Sequence, residues 1–189
     1  ETLKPGDPLL SRVRHHVLAD HSTSLRGALA KASSIGFWTC GLSSELGGEA
    51  AHLGDRFVEL ARRQSLGRMA GDPPALLAGT GETVVHLSGD GRGGRCTEFA
   101  LAAARELDAL DGVLVAGFAT DGSDGTTGAA GAFADGASAR RGRELGMDPA
   151  EFLRRNDSFT YFERLGDLIH TGPTLTNVGD LYVAAVFGS

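Results

Sequence analysis

Short apolar runs alternate along the chain with segments whose apolar residues recur every three or four positions. The runs Phe37–Leu42, Ala75–Ala78, Glu82–Leu87, Gly112–Ala119 and Asp180–Phe187 are bounded by turn residues and predict strands. Val13–Ala19 is a further, shorter strand candidate, interrupted by His15 and His16. Gly112–Ala119 and Asp180–Phe187 are almost wholly apolar, the pattern of strands buried on both faces. Helical spacing begins after Ser22 or Thr23, either of which can cap a helix to about Ser33 with Leu25, Leu29 and Ala32 on one face. It recurs over Gly48–Leu66, with Leu53, Phe57, Val58 and Ala61 inward, and over Gly94–Leu107, with Phe99, Ala102, Ala103 and Leu107 inward. Gly136–Leu145, Pro149–Arg155 and Ser158–Leu165 complete the helices. Strands alternating with helices predict an α/β fold with parallel strands and helices on both sheet faces. The Pro/Gly break Ala70–Pro74 divides the pattern into two α/β units, 1–72 and 73–189.

Composition narrows the function. A chain of 189 residues with 41% hydrophobic positions can bury a core and is not a disordered segment. A net charge of -6 argues against a general nucleic-acid binder, which needs a basic face. No apolar run approaches the ~20 residues that span a bilayer, so no membrane partner is expected. Two cysteines are too few for a disulfide framework, and a cytoplasmic location is expected. The N-terminus lacks the pattern of a signal peptide, and lacks Met, as in a trimmed chain or part of a longer one. Glycine stands out at 28 residues, nine of them gathered in loops at 79–82, 89–94, 121–125 and 171–174. Such loops at strand ends predict backbone N–H groups turned toward an anionic ligand.

Three loops carry the chemistry. Gly89, Gly91 and Gly94 formally make G-x-G-x-x-G, but the acidic residue expected about 20 positions on is misplaced, because Glu106, Asp108 and Asp111 precede the next strand. Arg92 and Arg95, beside Gly93 and Gly94 at a helix start, suit a phosphate or carboxylate; the alternative is a solvated turn. Asp121 and Asp124 follow the most buried strand, and two aspartates three apart could hold Mg²⁺ through waters or simply form Asx turns. Thr171, Thr174, Thr176 and Asn177 surround a Gly-Pro turn and offer hydroxyls and an amide. Glu82 is either a site carboxylate or the first residue of a strand. His15, His16 and His21 make no metal pattern, and Arg140, Arg141 and Arg143 read as a solvated helix face. There is no P-loop lysine, no nucleophile elbow and no paired C-x-x-C.

Taken together, GDGRGGRCTEFALAAA at 89–104, ATDGSDGTTGAAGA at 119–132, the segment 153–181 and Gly81-Glu82 resemble the type 2 glycerate kinase family, especially its C-terminal MOFRL domain, over about 110 residues. The first 70 residues resemble the end of that family's N-terminal domain. The resemblance implies part of a Rossmann-like domain followed by a MOFRL-type α/β domain. It implies phosphorylation of a small hydroxy acid, D-glycerate, at its 2-hydroxyl by ATP with Mg²⁺. Family members are also labelled hydroxypyruvate reductases.

By the same resemblance Arg92, Arg95, Asp121 and Asp124 are catalytic, with Asp121 and Asp124 on the metal. Glu82, Gly91, Gly93, Gly94, Glu98, Thr120, Gly125, Thr171, Thr174, Asn177 and Asp180 are expected to contact substrate or nucleotide. The implied partners are a missing N-terminal domain or partner chain, and a second copy in a homodimer. The chain departs from the family pattern at Cys96-Thr97, where Asn-Gln is usual, and at Gly128, where an acid is lost. It also departs at Asp20-His21, where Ser-Asn is common, and at Gly179, where Asn is expected. The only lysines are Lys4 and Lys31, neither in a glycine loop, so a kinase portion of this kind is expected to be silent alone. Its rivals are a non-catalytic ligand-binding or subunit module and an NAD(P)-dependent reductase.

Overall fold

A computed structural model describes residues 2–69 and 71–188. After a 3-10 turn at Pro8–Arg12, α1 spans His21–Ser34, β1 Trp38–Gly41, α2 Ala50–Leu66 and β2 Ala75–Gly81. Helix α3 covers Arg95–Glu106, β3 Val113–Ala119 and β4 Gly131–Asp135. Three short helices follow, α4 (Ser138–Glu144), α5 (Pro149–Arg154) and α6 (Ser158–Leu165), then β5 (Leu168–Ile169) and β6 (Asp180–Val186). Helix α1 starts one position earlier than its expected caps. The Asp20 carboxylate accepts from Thr23 N (2.9 Å) while the Thr23 hydroxyl accepts from Asp20 N (3.3 Å), a reciprocal capping box.

The strands form one six-stranded sheet in the order β1-β2-β6-β3-β4-β5. Only β1 and β2 pair in parallel; the other four pairings are antiparallel, which corrects the parallel expectation. The physical reason is β6. It returns from the far end of the chain and inserts between β2 and β3, taking hydrogen bonds from both, while β3, β4 and β5 follow one another as a meander. The sheet runs across the Pro/Gly break, because β1 lies before it and β2 after it. Ala70 of that break lies outside the described residues.

One face of the sheet is covered by α2 and α3. Phe57 of α2, Phe99 of α3 and Tyr182 of β6 stack in series, with ring centroids 5.2 and 4.7 Å apart. Gly54 permits this contact, since a Cβ there would strike the Phe99 carbonyl. Helix α1 packs on β1 and β2 from the other side, with Leu25 and Leu29 over Gly41.

Several expectations change. Val13–Ala19 is not a strand: no neighbour pairs with it, and Val17 and Leu18 are 77% and 93% exposed. Glu82–Leu87 is not a strand either, apart from a single bridge from Val84 to Glu49. The Gly79-Thr80-Gly81 loop is instead the end of β2. Its glycines are needed because Leu46 and its backbone press against positions 79 and 81. Strands β4 and β5 went unpredicted. Arg141 is no solvated residue, because its guanidinium pairs with the buried Asp167 at 2.8 Å. Among the described residues no helix is long and apolar enough to cross a membrane.

Candidate active-site cleft

Since β6 runs against β2 and β3, its first residue lies at the same sheet edge as their last ones. Gly81 is opposite Asp180, and Asp180 is opposite Ala119. Glu82, Asp180 and Asp121 therefore converge at one edge, the place where α/β sheets bind ligands. The N-terminus of α1 and the loop after β1 complete a cleft of about 480 Å³ there.

Arg95, the first residue of α3, links the acids. Its Nη1 donates to Glu82 (2.7 Å) and its Nε to Asp180 (2.9 Å). Asp180 is 2% exposed and also accepts from the Tyr182 hydroxyl at 3.1 Å. Burial pushes its carboxyl up and Arg95 opposes that shift. The Tyr182 hydroxyl is in turn 2.8 Å from Thr83. Arg95 was expected to grip an external anion, but its charge is matched within the protein. Arg95→Ala is expected to lower stability by about 2 kcal/mol, below the range for a fully buried pair because Arg95 is partly exposed. Urea unfolding checks this, and a loss under 0.5 kcal/mol would mean that Asp180 needs no partner.

Of the expected site residues, Glu82, Arg95, Asp121, Asn177 and Asp180 line the cleft. The glycine loop does not. A Cβ at Gly89 or Gly91 would strike the carbonyl of Arg155, and one at Gly93 would strike the Ser158 hydroxyl. Gly91 N donates to Arg155 O (2.9 Å) and Arg92 N to Asp157 Oδ1 (3.0 Å). The glycines make a tight joint with segment 155–158, and Arg92 lies 4.4 Å over the Phe159 ring. These contacts fill one side of the loop, while Gly89, Asp90 and Arg92 stay exposed.

Asp124 is likewise turned inward. It is 2% exposed, and its carboxylate accepts from Cys96 N (2.9 Å), Thr97 N (2.8 Å) and the Thr97 hydroxyl (2.8 Å). The anion at the start of α3 is thus the protein's own, and a Cβ at Gly94 would displace it. Gly125 is packed beside Gly93. Thr97 also accepts from Ser158 Oγ (2.9 Å), so the departures Cys96 and Thr97 belong to an internal network. Asp121 lines the cleft, with one oxygen accepting from Ser123 N at 2.9 Å. Among the described residues no three Asp, Glu, His or Cys side chains converge as a metal-ligand set. The Asp121–Asp124 pair does not fit Mg²⁺, because Asp124 is consumed by α3.

Glu98 sits behind the glycine loop, 7% exposed, accepting from Asn156 Nδ2 at 3.1 Å. Burial raises its carboxyl above the ordinary 4.5. A raised acid favours the folded state fully below that ordinary value and loses the contribution as pH rises through its folded value. Glu98→Gln is therefore expected to gain stability relative to the parent between pH 4 and pH 7, read from Tm at both. A difference that does not move with pH would contradict it. Thr120 Oγ1 donates to Gly179 O (2.7 Å), holding the loop before β6. Thr174 donates to Thr120 O and Thr171 to Gly172 O, and neither lines the cleft.

Asp20, His21, Ser22, Ser44 and Glu45 also line the cleft; Asp20-His21 is marked in the sequence only as a departure from the family pattern, and Ser22, Ser44 and Glu45 by no ligand motif. They come from α1 and the loop after β1, brought there by packing on β2. The signal available was the Asp-x-x-Thr capping pattern at Asp20–Thr23. Hydrogen bonds from Ser22 and Thr23 hold the Asp20 carboxyl down at about 2.

A mixed α/β sheet with a polar cleft at the β2, β3 and β6 edge defines the class, an α/β domain with a ligand-binding cleft at its strand ends. The solved structure of a glycerate kinase from Thermotoga maritima superposes with a TM-score of 0.88 at 36% identity, covering 93% of this chain and 42% of that one. The chain belongs to the MOFRL family, whose pattern matches residues 75–180. It is similar to a D-glycerate 2-kinase of Thermotoga maritima, 36% identical over 177 residues that cover 94% of this chain and 42% of the relative. It is also similar to a putative hydroxypyruvate reductase of Agrobacterium vitis, 41% identical over 167 residues covering 87% of this chain and 43% of the relative. The chain thus spans about two fifths of the length of these relatives.

Proposed function

We propose that the chain is the C-terminal portion of an ATP-dependent glycerate 2-kinase-like enzyme, in which residues 1–72 are the end of a Rossmann-like domain whose β1 joins the sheet of the MOFRL-like part, 73–189. The observation that carries this reading is the polar cleft at the β2–β6–β3 edge of a fold held in common with a glycerate kinase. A small hydroxy acid binds in the cleft, and ATP supplies the phosphoryl group. Asp121 orients the attacking hydroxyl, and Asn177 offers its amide to a hydroxyl or carboxylate. Arg95, tied to Glu82 and Asp180, sets the charge of the floor. Positioning and electrostatics carry phosphoryl transfer, so a permanently charged group to hold the transferring phosphoryl has to reach the cleft from outside this chain. Neither Lys4 nor Lys31 lines it.

A reductase is the reading suggested by the names of the Agrobacterium vitis relatives. The packing of Arg155–Ser158 into the glycine loop opposes it, since a pyrophosphate needs that same surface. A ligand-binding module is the reading favoured by the full engagement of Arg95. A coupled ADP-release assay with D-glycerate, run beside hydroxypyruvate and NADH, separates the three. Glycerate-dependent ADP release by the protein carrying this chain is expected, with none from the 189-residue chain alone. NADH oxidation without ADP release would replace the kinase by a reductase. Glycerate binding without turnover in the whole protein would leave the ligand-binding module.

A further inference from the structure

We propose that His21 is the side chain that recognises the anionic group of the ligand in this cleft, and that Gly179 is the positioning residue that seats it. The inference rests on the cleft being a ligand site and extends that reading to how an anion is held there.

Charge is the first argument. Five carboxylates line the cleft, from Asp20, Glu45, Glu82, Asp121 and Asp180, against one guanidinium, Arg95. Arg95 is already paired with two of them. An anionic ligand entering such a cleft meets net repulsion unless another side chain supplies positive charge and a donor. His21 is the one remaining cleft side chain able to carry positive charge. Among the described residues its ring nitrogens have no hydrogen-bond partner, whereas Asn177 Oδ1 and the Asp20 carboxylate are engaged within the protein.

Geometry is the second argument. The ring lies in the space that a side chain at position 179 would fill: a Cβ there would strike His21 Nε2 and stand 2.5 Å from Cδ2. Gly179 has φ +82, so the site disfavours other residues on backbone grounds too. Both backbones are pinned. His21 O accepts from Thr80 Oγ1 at 2.9 Å, and Thr80 is fully buried. Gly179 O accepts from Thr120 N (3.2 Å) and Oγ1 (2.7 Å). The imidazole is thus set against Gly179, just before β6, and lines the cleft.

Histidine-labelled protein titrated with D-glycerate and, separately, with inorganic phosphate tests this by NMR. The His21 ring signal is expected to move saturably with at least one of the two anions. His21→Gln should weaken that binding ten- to hundredfold, with little change in Tm. Gly179→Ala should weaken it while retaining the histidine. If His21→Gln binds both anions within twofold of the parent, or no anion moves the His21 signal, the inference is wrong. Phosphate binding through His21 without any glycerate binding would overturn the glycerate kinase reading and leave this one standing. Glycerate turnover with His21→Gln unimpaired would do the reverse.

Discussion

Asp124→Ala is expected to destabilise the protein by about 3–4 kcal/mol. Its carboxylate receives three buried donors, Cys96 N, Thr97 N and Thr97 Oγ1, all within 2.9 Å. Each buried donor left unsatisfied costs about 1–3 kcal/mol, and losing a helix cap alone costs about 1 kcal/mol. Thr97 Oγ1 keeps a second acceptor in Gly94 O, which holds the sum toward the lower end. Asp124→Asn retains one acceptor oxygen of similar shape and should lose about half as much. Urea unfolding gives both values, and amide exchange at Cys96 and Thr97 should quicken in step. A metal ligand would behave otherwise, because its removal would erase a cation response and leave stability nearly unchanged. A loss below 1 kcal/mol for Asp124→Ala would return Asp124 to that role.

The helices were legible because each buries one face, and the apolar spacing records it: Phe57 and Val58 in α2, Phe99 and Ala103 in α3. Sheet direction was not legible, because nothing local to Asp180–Val186 says that it inserts between β2 and β3. That is decided by pairing across the whole chain. Glycine misled in a consistent way. In Gly79–Gly81 and Gly89–Gly94 the missing side chains read as ligand loops, yet Leu46 and segment 155–158 pack against them. Close backbone approach leaves the same mark whether the neighbour is a phosphate or another strand of the protein. The motif-borne half of the cleft, Glu82, Arg95, Asp121, Asn177 and Asp180, was legible from its loops. Its other half, from Asp20 to Ser22 and Ser44-Glu45, depends on α1 lying over β2, which no spacing within those segments encodes.

Asn156→Ala is expected to be as severe, about 3–5 kcal/mol, because one side chain closes the joint behind the glycine loop. Asn156 is 6% exposed and sits at φ +53, a left-handed conformation that Asn tolerates and Ala does not. Its Oδ1 accepts from Ser88 N (2.7 Å) and Gly89 N (2.9 Å), and its Nδ2 donates to His86 O (3.1 Å) and Glu98 Oε2 (3.1 Å). Alanine removes these four bonds and a longer one from Ser88 Oγ (3.4 Å), leaves Glu98 buried without its donor and adds backbone strain of about 1 kcal/mol. Asn156→Gly relieves the strain and nothing else, so it should recover about 1 kcal/mol of the loss. Asn156→Asp keeps the acceptor but sets a second carboxylate against Glu98, so its loss should grow from pH 4 to pH 7 as both ionise. Three unfolding curves therefore separate backbone, hydrogen bond and charge at one position. If alanine and glycine are equally mild, within 1 kcal/mol of the parent, the glycine loop does not depend on this joint. The grip of segment 155–158 would then not be what keeps an anion out of it.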